Sequence, residues 1–152
     1  MVLIEVIELL SQTDKSDYLK QLKECDWEAA KFLVYLIENE KLEQLCGVNP
    51  KLFLLINDSQ IISFCTFVFQ DDVKDETLFP WIGFVYTYPK YRGNRYFGLL
   101  LDHITNLAIS LEYNKLYIST NESGLYEKYG FSYYKNMLDI NGDDSRIYYK
   151  NI

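Results

Sequence analysis

Apolar positions along the chain change period several times, and each change marks an element. Residues 2–10 are apolar and partly β-branched, which predicts a strand, with a helix as the competing reading. A polar turn at 11–15 follows, and then Tyr18, Leu19 and Leu22 share one face of a short helix. Asp26 stands where it can cap a second helix, along which Trp27, Ala30, Val34 and Ile37 recur at helical spacing with Leu33 beside them. Residues 39–47 form a charged tail or a further short helical turn. The middle switches to strand character. Residues 52–56 and 61–69 predict a hairpin about Asn57, Asp58 and Ser59. An acidic loop at 70–76 leads to a long strand at 78–88. Gly83 lies inside that strand, which marks a bulge or a close backbone approach.

Phe97, Leu100, Leu101, Ile104, Leu107, Ala108 and Leu111 then recur three or four apart, the stripe of a buried helix that Asn114 ends. Residues 115–119 predict a strand. Residues 122–129 predict a short helix stopped at Gly130, a left-handed C-terminal cap. Residues 131–140 and 146–150 predict a closing antiparallel hairpin about a turn at 141–144. The order describes an α/β fold, a mixed central sheet flanked by helices, in a single domain over 1–152.

The most informative stretch is PKYRGNRYFGLLL, residues 89–101, which joins the long strand to the long helix. A glycine-containing turn at a helix start aims several backbone N–H groups at one point, and the helix end adds partial positive charge. This is a site for a phosphate or another anion. Arg92 and Arg95 add two formal positive charges there.

Composition narrows the partners. The net charge is -7, from 15 basic and 22 acidic side chains, which argues against nucleic acid, whose binding is dominated by phosphate contacts. It leans toward a small cationic or amine substrate. Fourteen tyrosines are spread through the chain and describe packing more than a site. Cys25, Cys46 and Cys65 have no metal-site or redox-pair spacing, so they are expected reduced and mostly buried, in a cytoplasmic protein. With a single histidine, no metal site is expected. No apolar run reaches the roughly 18 residues of a membrane span, so no membrane partner is expected.

Two segments resemble the GCN5-related N-acetyltransferase (GNAT) superfamily. VYTYPKYRGNRYFGLLLDHI, residues 85–104, resembles the family's acyl-CoA pyrophosphate turn and following helix. STNESGLYEKYGF, residues 119–131, resembles the segment that holds the family's tyrosine acid. They stand in the family's order, separated by one helix and one strand. The family's turn reads Arg or Gln, two free positions, Gly, a free position, then Gly or Ala. Those six positions are here Arg92, Gly93, Asn94, Arg95, Tyr96 and Phe97. Arg92 matches, whereas Arg95 and Phe97 each replace a small residue, with Gly93 and Gly98 close by.

The resemblance implies acetyl transfer from acetyl-CoA (coenzyme A) to a primary amine by direct attack. It implies that Phe84, Val85 and Tyr86 pair with the pantetheine arm and supply a backbone N–H to the thioester carbonyl. The turn from Arg92 to Gly98 would wrap the pyrophosphate, and Asn121 would lie near the coenzyme A arm. Tyr126 would be the general acid that protonates the departing thiolate. The alternative is a catalytically weak acyl-CoA-binding protein of the same fold. A homodimer resembles many family members, and nothing in the sequence fixes the oligomeric state. Asp71, Asp72, Glu76 and Glu122 are candidate general bases, though for each a solvated surface carboxylate is the stronger expectation. His103 is expected as a partly exposed helix residue, and Cys65 as core packing.

Overall fold

The computed structural model describes residues 3–152. Seven strands form one sheet in the order β1-β2-β3-β4-β5-β7-β6. They are β1 (Ile4–Glu8), β2 (Lys51–Asn57), β3 (Gln60–Val68), β4 (Trp81–Thr87), β5 (Lys115–Thr120), β6 (Ser132–Leu138) and β7 (Asp144–Asn151). Three helices lie between β1 and β2: α1 (Ser16–Glu24), α2 (Glu28–Glu38) and α3 (Leu42–Cys46). The fourth, α4 (Phe97–Ser110), connects β4 to β5, the sheet's parallel pair. No helix among the described residues is long and apolar enough to cross a membrane.

Strands β2 and β3 are buried on both faces, and their period of two divides them between two cores. Leu52, Leu54, Ile56 and Phe64 pack under α1–α3 with Leu22, Leu33 and Val34. Phe53, Leu55, Ile62 and Cys65 pack under α4 with Leu100, Leu101 and Ile104. The hairpin between them turns through Asp58 and Ser59, both at positive φ (49° and 69°), the turn whose twist suits two-residue hairpins.

The expected mixed sheet and helical cover are present, and several local expectations are corrected. Residue 2, placed in the first strand, lies outside the described residues. Asp26 does not cap α2: Trp27 holds that position without a side-chain cap, and the Asp26 carboxylate accepts a hydrogen bond from the Tyr86 hydroxyl at 3.0 Å. Leu111 is half exposed because α4 has already ended at Ser110. The helix expected over 122–129 shrinks to one 3₁₀ turn, Tyr126–Tyr129. Gly124, at φ +84°, breaks the helical path, and its N–H is held instead by Glu127 Oε1 at 3.0 Å. Gly130 does close the segment in the left-handed region, at φ 93°.

The position of α4 is fixed by its buried stripe. Leu100 is fully buried, while its neighbour Leu99 is exposed. Leu100→Ala is therefore expected to cost about 2–5 kcal/mol in urea unfolding, and Leu99→Ala about 0.5 kcal/mol or less.

Candidate functional site

Strand β4 belongs to β3 along its whole length but to β5 only at its start. The β4–β5 pairing consists of Trp81 with Tyr117 and Ile82 with Ile118. The register between β3 and β4 also shifts: Phe64 faces Tyr86 and Thr66 faces Gly83, so Cys65 stands opposite both Phe84 and Val85. This is a β-bulge, which bends a strand and raises its twist. Phe84 sits in it at φ 48°, a conformation costing a bulky residue about 1–3 kcal/mol. Beyond Ile82 the two parallel strands diverge, and the β5-facing backbone of residues 84–87 is left without a strand partner.

Two clefts open at this divergence. The larger, about 490 Å³, is lined by Val85, Tyr86, Arg92, Gly93, Arg95, Tyr96, Phe97 and Tyr126, among others. The smaller, about 220 Å³, includes Trp27, Asp71, Asp72, Gly83, Phe84 and Ser119. Val85 and Tyr126 line both. The sequence-predicted residues therefore divide. Phe84 faces the smaller cleft only, and Asn94, Gly98 and Asn121 line neither. Tyr91, Leu125 and Tyr129 line the larger cleft without having been singled out in the sequence, since aromatic and aliphatic residues there carry no signal beyond packing, and Thr87 joins them as an unmarked residue at the end of β4.

The turn leading into α4 has the form of an anion site. Among the described residues, the backbone N–H groups of residues 93–97 have no protein acceptor. Five successive free donors meet the start of a 14-residue helix, whose partial positive charge points the same way. Gly93 (φ 86°) and Arg95 (φ 56°) give the turn its curl. Asn94 stitches it from the side, its amide donating to the Tyr91 carbonyl at 3.0 Å.

The two residues that depart from the family pattern have partners. The Arg95 guanidinium donates to the Lys128 carbonyl at 3.0 Å and lies 5.0 Å from the centre of the Tyr129 ring. Phe97 is buried edge-to-face against Tyr126 and Tyr129, at 5.9 and 5.2 Å. Both side chains thus tie the turn to the 3₁₀ turn that carries Tyr126. Arg92 reaches the other way: Nε donates to the Thr87 carbonyl at 2.8 Å, and the guanidinium lies 5.2 Å from the Tyr86 ring centre. Tyr86 stacks on Trp27 at 5.3 Å.

Tyr126 is 6 % exposed, yet its hydroxyl has no protein hydrogen bond among the described residues. Burial raises its pKa well above the ordinary phenol range, with smaller contributions from Cys65, Glu122, Tyr129 and Asp71. The phenol therefore stays protonated at neutral pH. The other candidate groups are sorted by burial. Glu76 and Glu122 are exposed. His103 is exposed with its ring 5.0 Å from that of Phe53. Cys65 is fully buried in the α4-side core, where burial raises its thiol pKa.

Asp71 is the correction among the acids. Expected as a solvated carboxylate, it is only 7 % exposed. The reason is Gly83: a Cβ at that position would overlap the Asp71 carboxylate, lying 2.7 Å from its Cγ. The missing side chain makes the notch that the carboxylate fills. Burial, then the Asp72 charge, push the Asp71 pKa up to about 7, against a smaller pull from the Asp72 N–H. Gly83 was legible as a close approach; the group that approaches it was not.

Comparison with known proteins gives this geometry a family. The family model described as Acetyltransferase (GNAT) family matches residues 8–131. No curated protein matches the sequence significantly. Solved structures share the fold at low identity. An acetyltransferase from Streptococcus agalactiae is 21 % identical with a TM-score of 0.68, over 98 % of each chain. A GNAT family acetyltransferase from Elizabethkingia anophelis, solved with acetyl-CoA bound, is 18 % identical with a TM-score of 0.64, over 98 % of each chain. The Campylobacter jejuni N-acetyltransferase PseH in complex with acetyl coenzyme A is 22 % identical with a TM-score of 0.61, over 98 % of this chain and 99 % of that one. With its family model spanning both motifs and the divergent β4–β5 pair, the chain belongs to the GNAT acetyltransferase family.

Proposed function

We propose that the protein transfers the acetyl group of acetyl-CoA to a primary amine of a small acceptor by direct attack. The observation that carries this is the run of free N–H groups at 93–97, opening onto a cleft that also holds the free hydroxyl of Tyr126. The residues present suit the donor. Free N–H groups at a helix start suit a pyrophosphate, and the β5 side of β4 beyond Ile82, which no strand pairs, suits an extended amide-bearing arm. Solved family members with acetyl-CoA bound support the same donor.

When bound, acetyl-CoA supplies an activated acyl group on a thiol leaving group. The residues of the chain then have distinct tasks. Residues 93–97 hold the anion, with Arg92 at its edge. Val85 and Tyr86 offer backbone to the arm, and an N–H of this strand stabilises the developing carbonyl charge. Tyr126 keeps its proton at neutral pH and donates it to the departing sulfur.

Titration calorimetry with acetyl-CoA, with NAD and dephospho-CoA as controls, tests the donor. Saturable binding of acetyl-CoA, with none for NAD, is expected; folded protein that takes up no acetyl-CoA would sink the proposal. Tyr126→Phe tests the acid. Turnover is expected to fall about a hundredfold while acetyl-CoA affinity is kept. Acetyl-CoA binding by a wild-type protein that acetylates no amine would instead indicate an acyl-CoA-binding protein with little catalysis.

A further inference from the structure

The smaller cleft lies on the Trp27 and Phe84 side of β4, and its polar content is one-sided. It holds two carboxylates, Asp71 and Asp72, and no lysine or arginine among its lining residues. The Ser119 hydroxyl and the Asp72 N–H meet part of the carboxylates' capacity, and the rest is open. No side chain among the described residues hydrogen-bonds the Asp71 carboxylate, although the residue is more than nine-tenths buried. Asp72 Oδ1 is buried with no hydrogen-bond partner at all. A buried acceptor left unpaired costs about 1–3 kcal/mol, so Asp72 Oδ1 is matched to a donor from outside the chain. The Trp27 and Phe84 rings, 6.4 Å apart, supply the wall, and aromatic faces attract cations. The volume, about 220 Å³, lies below the roughly 300 Å³ at which drug-sized pockets begin. It accommodates a short, narrow cation. Val85 and Tyr126 join this cleft to the donor's cleft, so a group seated here meets the acyl group at their junction.

We propose that the smaller cleft seats the acceptor as a primary alkylammonium ion held at Asp72, and that Asp71 takes its proton. This rests on the acetyl-transfer proposal above. Asp71 is then a catalytic residue and Gly83 a positioning residue, since only its missing Cβ lets the carboxylate reach the notch. The protons balance. The ammonium gives one proton to the Asp71 carboxylate and becomes the free amine. Its nitrogen lone pair forms the C–N bond to the acetyl carbon, and the C–S bond breaks with its electron pair on sulfur. Tyr126 gives its proton to that sulfur, and the second N–H proton lost from the nitrogen restores Tyr126. Asp71 returns its proton to water. The groups that face Asp71 are Asp72 on its own loop, Cys46 at the end of α3 and Tyr126 on the 3₁₀ turn. None of them is a cation. Asp71 therefore works only above the pH at which it ionises, and turnover should be lost as pH falls through about 7.

The test uses the full chain, acetyl-CoA, and n-butylamine, 1,4-diaminobutane and ethanolamine as acceptor probes, with n-butanol as the uncharged control. Thiol release and amide formation are followed from pH 5.5 to 9. The amines themselves titrate near 10, so a limb near 7 belongs to the protein. Wild type is expected to acetylate at least one of the amines and not n-butanol, with that limb present. Asp71→Asn is expected to lose about a hundredfold in kcat/KM and to lose the limb, while calorimetry gives unchanged acetyl-CoA affinity. Asp72→Asn should raise KM for the amine with the limb retained. Gly83→Ala should reproduce the Asp71→Asn profile with Asp71 still in the chain. Should Gly83→Ala fail to fold, the near-isosteric Asp71→Asn decides alone. Retention of both rate and limb in Asp71→Asn overturns the inference and leaves acetyl transfer standing. Acetyl-CoA binding by a wild type that acetylates none of the three amines also overturns the inference and leaves only the donor site standing. Absence of acetyl-CoA binding by wild type is the different failure: it removes the acetyl-transfer proposal and this inference with it.

Discussion

The structure depends on one missing ladder. Parallel strands β4 and β5 start as neighbours and part after two residue pairs. In an ordinary sheet the backbone groups exposed by such a parting would be a liability. Here they become the walls of two clefts. The bulge at Phe84 and Val85 is the local cause, since an extra residue opposite Cys65 bends β4 away from its neighbour. The energetic burden falls on Phe84, a bulky residue held at positive φ. It is tolerated because β3 and the two cores hold the rest of β4 in place. Trp81 and Ile82, just before the bulge, are fully buried.

Around this gap, aromatic rings and arginines do the work that a longer helix or further strand pairing would do elsewhere. Tyr86 carries Arg92 against its ring and stacks on Trp27, so the turn before α4 is packed against the start of α2. Phe97 packs the first turn of α4 against two tyrosines of the second motif. The tyrosine-rich composition thus serves mainly as mortar between elements. Among the tyrosines that line the larger cleft, Tyr126 alone is buried with a hydroxyl that makes no hydrogen bond to the described residues, which is why its neighbours do not compete with it as candidates.

The fold was legible wherever hydrophobic period and turn chemistry agreed. The α4 stripe, the hairpin at Asp58 and Ser59, and the order of strands all follow from them. The errors sit where tertiary contacts override local signals. Asp26 has the chemistry of a cap but lies within reach of the Tyr86 hydroxyl, and that bond wins. Residues 122–129 have helical composition, but Gly124 takes a left-handed turn and Glu127 holds it there. At the site, the motif residues came from pattern, whereas Asp71 did not. An aspartate in an acidic loop looks solvated, and only the register of a glycine twelve positions later, across the sheet, shows that it is buried.

Arg95 bears on how such a chain can evolve. It occupies a left-handed position that costs an ordinary residue about 1–2 kcal/mol and suits glycine, yet its guanidinium clasps the Lys128 carbonyl and the Tyr129 ring. A drift to glycine would relax the backbone and release the clasp in the same step. The two motifs are therefore not free to diverge separately. A change at one must be met by compensation at the other, and selection on the turn before α4 acts equally on the segment that carries Tyr126.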